Sequence, residues 1–377
     1  MSALMLLASM SLAQATPQRE IPYAAFLDRL RGGWAGQMVG VSYAAPYEFQ
    51  ALGKTIEEPL RPWSPDRLSN AISQDDLYVE MTFLETLTTH GLEPSWEALG
   101  ADFRDSKYDL WHANKAARDN LRAGLMPPES GSREHNAHAD DIDFQIEADL
   151  FGLIAPGLPA EAARLGERFG RIMNDGEGVH GGQFVAALYA QAYLEPDASP
   201  RSIRRCIDAG LAVIPSDGGY SRLVHDVLDA HANHPDDWRG AWRMLQEKWS
   251  DTDTCPEGQG TPFNIDAKLN GGYVVLGLLY GEGDFARTLE IATRCGQDAD
   301  CNAATAAGVL GAILGFERIP PIYTQGLAEL RGKRFSYTDY DFDALIAACE
   351  RVAAEVLARA GGRIEGEGRQ RVLLLPP

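Results

Sequence analysis

The chain has no basic stretch. Its 34 Lys and Arg are outnumbered by 54 Asp and Glu, a formal charge of -20, and the cations stand singly or in short pairs. Nucleic acid and anionic lipid are approached through a basic footprint, so this pattern excludes both as partners. No low-complexity tract, internal repeat or long linker interrupts the sequence, and strand-like alternation is rare. Cysteine is scarce. Cys206, Cys255, Cys295, Cys301 and Cys349 are odd in number, which excludes a disulfide framework, and no two have the CxxC spacing of a zinc site. Cys295 and Cys301 are the candidates for a bridge in an oxidising compartment, provided that their backbones approach closely enough.

What remains is a globular composition. The 377 residues are 45% apolar, enough for one large domain or two ordinary ones. Residues Leu4 to Leu12 form an apolar run far too short to span a bilayer. The run ends in Ala13-Gln14-Ala15, the small-residue pattern of a cleaved leader, although no Lys or Arg precedes it. A signal peptide over 1–15 is expected, with a periplasmic or secreted product; the sequence leaves the oligomeric state open.

Helical periodicity dominates the rest. Leu77, Met81 and Leu84 share one face, as do Ile142, Ile146, Leu150 and Leu153. Asn302 to Leu314 is rich in Ala and Gly, as suits a helix packed tightly against others, and Val274 to Leu279 reads as buried helix. The expected fold is all-α, a single helical bundle domain over 16–377.

Two acidic clusters carry the chemistry. Ser73-Gln74-Asp75-Asp76 reads as a Ser-x-x-acid cap at a helix start, and Gly296 to Cys301 can be read as a cap in the same way. Their repetition gives the other reading. If both helix starts meet, Asp75, Asp76, Asp298 and Asp300 share a small volume and repel unless cations neutralise them. Hard divalent ions, Mg²⁺ foremost, suit such oxygen ligands. A third element, Gly32 to Phe49, repeats glycine at Gly32, Gly36 and Gly40, a smooth helix face, and places Glu48 in the turn after Pro46.

Together these elements resemble the ADP-ribosylglycohydrolase family. Its pattern is a Gly-rich first helix ending in a Pro-x-Glu turn, an N-terminal Thr-Asp-Asp, and a C-terminal Gly-Gly-Asp-x-Asp-Thr before a small-residue helix. The resemblance spans nearly the whole chain after the leader. It implies an all-α fold and hydrolysis of a glycosidic bond with one or two Mg²⁺ ions. It further implies Asp75, Asp76, Asp298 and Asp300 as metal ligands, with Gln74 and Cys301 at flanking ligand positions and Glu48 as the catalytic or substrate-positioning carboxylate. Gln74 and Cys301 replace the family's two Thr residues, and Val41 replaces its Asp. A thiol is a poor partner for Mg²⁺.

The largest departure is Asp140-Asp141-Ile142-Asp143-Phe144-Gln145-Ile146-Glu147, near the place of the family's phosphate-approaching loop. A diphosphate wants backbone N–H groups and an Arg, and acids offer the opposite. The run reads equally as a solvated helix face. Asp140, Asp141, Asp143 and Gln145 are candidate substrate contacts. So are Glu177 and His180 in the glycine-dense 174–182 stretch, and Asp266 in 264–272; Trp34, Trp63 and Trp111 are candidate sugar platforms. The substrate expected is a neutral small or oligomeric glycoside. The alternatives are removal of ADP-ribose from protein, or a metal-dependent sugar-binding protein without catalysis.

Overall fold

The computed structural model describes residues 19–377. The expected leader, 1–15, lies outside them. Sixteen α-helices make up most of the described residues. One apolar cluster runs through them from Ile21 to Leu375.

At its centre the Tyr23–Ala44 helix lies along the Ala299–Leu314 helix. The glycine repeat explains the approach. A Cβ at Gly32, Gly36 or Gly40 would stand 2.2–2.3 Å from a main-chain oxygen of Gly311, Ala307 or Ala303 respectively. Only hydrogen fits between these backbones. The pairing sets the site, because the first helix runs into the Ala45–Tyr47 turn and Glu48, while the second begins at Asp298.

Asp75–His90 is a helix, as its periodicity predicts, but it is buried on more than one face: Asp76, Leu77, Tyr78, Val79 and Glu80 are all buried. Ala267–Gly281 is likewise buried along its whole length, which contains the Val274 to Leu279 run. A small antiparallel sheet ties the chain ends together. Val372–Leu374 lies between Glu20–Pro22 and Arg363–Glu365, with Leu373 opposite both Ile21 and Ile364.

Residues 141–153 depart from the periodic reading. They form two short helices, Asp143–Ile146 and Asp149–Leu153, instead of one amphipathic helix. The Leu150 N–H, which a continuous helix would direct to Ile146, donates to Glu80 Oε1 at 3.1 Å. The acids here are not on a solvated face. Asp140, Asp141, Asp143 and Glu147 are all buried. The reason is local: Asn174 donates to the Ala139 and Asp141 carbonyls and accepts from Phe144 N–H, folding the segment inward.

Candidate metal centre and active-site cavity

Neither acidic helix start is spent on capping. The N-cap of the Asp75–His90 helix is Gln74, not Ser73, and its side chain makes no cap bond; Ser73 bonds back to the Asn70 carbonyl. Asp298 is the N-cap of the Ala299–Leu314 helix and also makes no side-chain cap bond. The capping reading of both clusters is therefore overturned. Apart from Asp75 Oδ1, which accepts from Asp76 N–H at 3.2 Å, these carboxylates are left for another purpose.

The two clusters meet. Ligand atoms of Asp298, Asp300 and Cys301 lie within 4.8 Å of one another, and Cys301 Sγ is 3.5 Å from Asp76 Oδ2. Asp75, Asp298, Asp300, Cys301 and Gln74 line one cavity of about 620 Å³. Asp76 lies just behind it, fully buried. Gln74 is held by its amide on Asn70 Oδ1. Burial raises every one of these acids, and neighbouring acids add to it at Asp76, Asp298 and Asp300. Asp76 feels Asp75 and Asp300, Asp298 feels Asp300, and Asp300 is pushed up to about 8 by burial, then Glu48 and Asp75. Asp76 Oδ1 and Asp300 Oδ1 are buried without a partner. Unpaired buried carboxylate oxygens are costly, and a hard divalent cation answers that cost. The residues present fit one.

Glu48 stands at the mouth of the same cavity. Burial of its carboxyl, then the charge of Asp75, raises its pKa. Its position is fixed by a residue the sequence did not single out. Gln297, buried and left-handed at φ 54°, accepts from Phe49 N–H at 2.9 Å and donates its own N–H to Ala51. Its side chain bonds Asn264 N–H and the Pro262 carbonyl. One strained turn thus joins the Glu48 loop, the Asp298 helix start and the 262–264 segment. A non-glycine residue in that conformation between Gly296 and Asp298 is hard to foresee from sequence.

The remaining expected contacts divide. Asp143 lines the cavity, and both its oxygens accept from the start of the His112–Arg122 helix, at Ala113 N–H and Asn114 N–H. Burial raises it to about 7 even so. Six others do not line the cavity. Asp140 pairs with Arg133 and caps Glu177 N–H. Asp141 faces His138. Gln145 bonds the Tyr220 hydroxyl. Glu177 accepts from Gly219 and Tyr220 N–H at a helix start, with His180 beside it. Asp266 caps its own helix and pairs with Lys268. Asp140, Glu177 and Asp266 are thus held by backbone donors and cations, so these three serve the fold and not the cavity.

Of the three tryptophans only Trp111 lines the cavity; Trp34 is fully buried, and Trp63 packs against Tyr43 and Tyr323. The sequence did not single out Phe49 and Phe263, whose rings meet at 5.2 Å, or Tyr78, Asn114, His112 and Glu257, which line the wall. Nor did it single out Glu80 and Asp149 behind Asp76, where Asp149 accepts from Tyr189 and Gln37. All five cysteines are free, so the Cys295–Cys301 bridge does not form.

A family model of ADP-ribosylglycohydrolases matches residues 22–361. The chain belongs to the ADP-ribosylglycohydrolase family. One solved structure, described as an ADP-ribosylglycohydrolase-related protein complex, shares the fold at a TM-score of 0.54 and 18% identity, over 88% of this chain and 99% of that one. No curated protein matches the chain in sequence. An ADP-ribosylglycohydrolase is at the coarse level a hydrolase of glycosidic bonds, and members of the family are typically dependent on divalent metal.

Proposed function

We propose that this protein hydrolyses the glycosidic bond of a neutral sugar substrate, with Asp75, Asp76, Asp298 and Asp300 holding one or two divalent cations, Mg²⁺ foremost. One observation carries the choice of substrate. Six carboxylates line the cavity, those of Glu48, Asp75, Asp143, Glu257, Asp298 and Asp300, and no Lys or Arg among the described residues does. The helix start that could cradle a phosphate, at Ala113 and Asn114, is already filled by Asp143. Sugar hydroxyls donate well to carboxylates, whereas a diphosphate is repelled by them.

When bound, the cation would orient a sugar diol and polarise one of its oxygens. Glu48, whose pKa is raised by burial of its carboxyl and by Asp75, would give a proton to the leaving oxygen and then take one from the attacking water as a base. Trp111, Phe49 and Phe263 offer apolar faces to the sugar ring. The Gln74 carbonyl adds an oxygen donor, while the Cys301 thiol favours Mg²⁺ poorly. Export rests on the leader pattern alone.

The family itself favours a second reading, release of ADP-ribose from modified protein. The test is a screen of aryl glycosides, furanosides included, beside an ADP-ribosylated peptide, each with and without chelator. Chelator-sensitive cleavage of a neutral glycoside supports the proposal. ADP-ribose release alone would replace it with the second reading, and metal-dependent sugar affinity without turnover would make this a binding protein.

A further inference from the structure

A second group of ligand-type side chains stands on the opposite chemistry. His112, His138, Cys255 and Glu257 each offer one atom, all within 4.8 Å of one another. They come from separate segments: the start of the His112–Arg122 helix, the loop before Asp141, and the 253–264 loop. Cys255 Sγ is 3.6 Å from His138 Nδ1, and Glu257 Oε2 is 3.7 Å from the same nitrogen. Tetrahedral zinc, with Zn–S near 2.3 Å and Zn–N near 2.05 Å, sets its ligands about 3.3–3.6 Å apart. The Cys255–His138 spacing falls in that range, and the remaining atoms lie within 4.8 Å of one another.

An independent feature points the same way. Asp141 is fully buried; its Oδ2 lies 2.8 Å from His138 Nδ1 and 3.7 Å from His112 Nδ1, and its Oδ1 has no partner. Its carboxylate also falls within 4.8 Å of Cys255 and Asp253. A fully buried carboxylate with an unpaired oxygen beside two imidazoles is a further donor aimed into the group, and it balances a cation's charge there.

A thiol, an imidazole and a carboxylate also suggest a nucleophilic triad. The geometry excludes it. Asp141 and Cys255 address the same ring nitrogen of His138, so the imidazole cannot relay a proton between them. Cys255 is also fully buried and donates to Glu257.

We infer that His112, His138, Cys255 and Glu257 form a zinc-type site, with Asp141 buried beside its histidines, that is separate from the carboxylate-rich Asp75/Asp298/Asp300 centre. Borderline-soft N and S donors select such a metal, whereas the acidic centre selects a hard one. His112, Glu257 and Phe263 line the cavity, so the metal would pin the 253–264 loop as a cavity wall. With four protein ligands the site is closed, and its role is to position that wall.

The test uses the full chain, stripped with chelator and titrated with Zn²⁺ alone by calorimetry, with elemental analysis of the dialysed product. Co²⁺ in place of Zn²⁺ reports thiolate ligation by its near-ultraviolet charge-transfer absorption. One tightly held Zn²⁺ per chain and a thiolate–cobalt band are expected. C255S and H138Q should weaken Zn²⁺ binding by about 10–100-fold or more and abolish or shift that band, while D300N and C301S leave both intact. No tightly held zinc, or zinc lost in D300N or C301S but kept in C255S, overturns the inference. Metal-free circular dichroism and melting of each variant check its fold, and H112Q carries the comparison if C255S does not fold.

Discussion

Gly40→Ala places a methyl 2.2 Å from Ala303 O and 2.5 Å from Ala303 C and Ala304 Cα. All three are main-chain atoms, so no side chain can turn aside. Restoring an ordinary contact near 3.5 Å means parting the Tyr23–Ala44 and Ala299–Leu314 helices by about 1 Å. Such overpacking costs about 1–3 kcal/mol, and in a chain of this size it lowers the melting temperature by about 1–4 °C. Gly32→Ala forces a similar clash, at 2.3 Å from Gly311 O, at the other end of the same pair. The two variants should therefore melt alike and work differently. Gly40 sits two turns before Glu48 and packs just beyond Asp298 and Asp300, so parting the helices there moves the carboxylates relative to one another. A misplacement near 1 Å costs about 10–100-fold in kcat, whereas Gly32→Ala should leave kcat near wild type. Calorimetric melting and turnover of the best aryl glycoside decide it. An unmoved melting temperature in Gly40→Ala, or an equal kcat loss in Gly32→Ala, would refute the reasoning.

Glu48→Gln should lower kcat by about 100-fold or more, the scale of a lost acid–base group, with calorimetric Mg²⁺ affinity unchanged; near-normal kcat would move the proton transfer elsewhere. Asp300→Asn should abolish turnover and the melting shift caused by Mg²⁺, while the metal-free melting temperature rises or holds, because a repelling buried charge has gone; a fall would show that the acids are not in conflict. Glu177 is opposed by burial, but His180 and the Tyr220 and Gly219 amides outweigh it and hold the carboxyl at about 2. A depressed acid stabilises the fold above its unfolded value near 4.3 and loses that contribution as pH falls toward 2. Glu177→Gln should thus cost about 1–2 kcal/mol in urea denaturation at neutral pH, and the gap to wild type should narrow below about pH 4.

The helices whose side chains obey one local rule were readable. The Gly32, Gly36 and Gly40 spacing announces a backbone contact, and the acids of Asp75–Asp76 and Asp298–Asp300 announce two helix starts. That the two starts meet at Cys301 is written in neither motif, because the glycines pair the Tyr23–Ala44 and Ala299–Leu314 helices and leave the Asp75–His90 helix to be placed by the rest of the fold. Residues 140–147 misled because periodicity sees only alternation of apolar and polar side chains. It cannot see Asn174 or Glu80 taking the backbone bonds that a helix would use. Glu177 and Asp266 misled for a related reason: an acid near glycine suits a ligand loop and a helix start equally, and here Gly219 and Tyr220 claim the first and Lys268 the second. The His112, His138, Cys255 and Glu257 group leaves almost no sequence signal. Its members span 146 positions, His112 to Glu257, with no motif spacing, and only the fold assembles them.

The substrate is the central claim, and calorimetry tests it most directly. ADP-ribose and a neutral pentose or hexose glycoside are titrated separately into the Mg²⁺-loaded protein. Each charged carboxylate about 10 Å from a diphosphate costs on the order of 1 kcal/mol at an effective dielectric near 20; bound Mg²⁺ offsets Asp75, Asp298 and Asp300, and Glu48, Asp143 and Glu257 remain on a wall with no Lys or Arg among the described residues. Measurable binding of the neutral glycoside, with ADP-ribose weaker by about 100-fold or more, is the predicted result. Micromolar affinity for ADP-ribose, with release of ADP-ribose from a modified peptide, would contradict it.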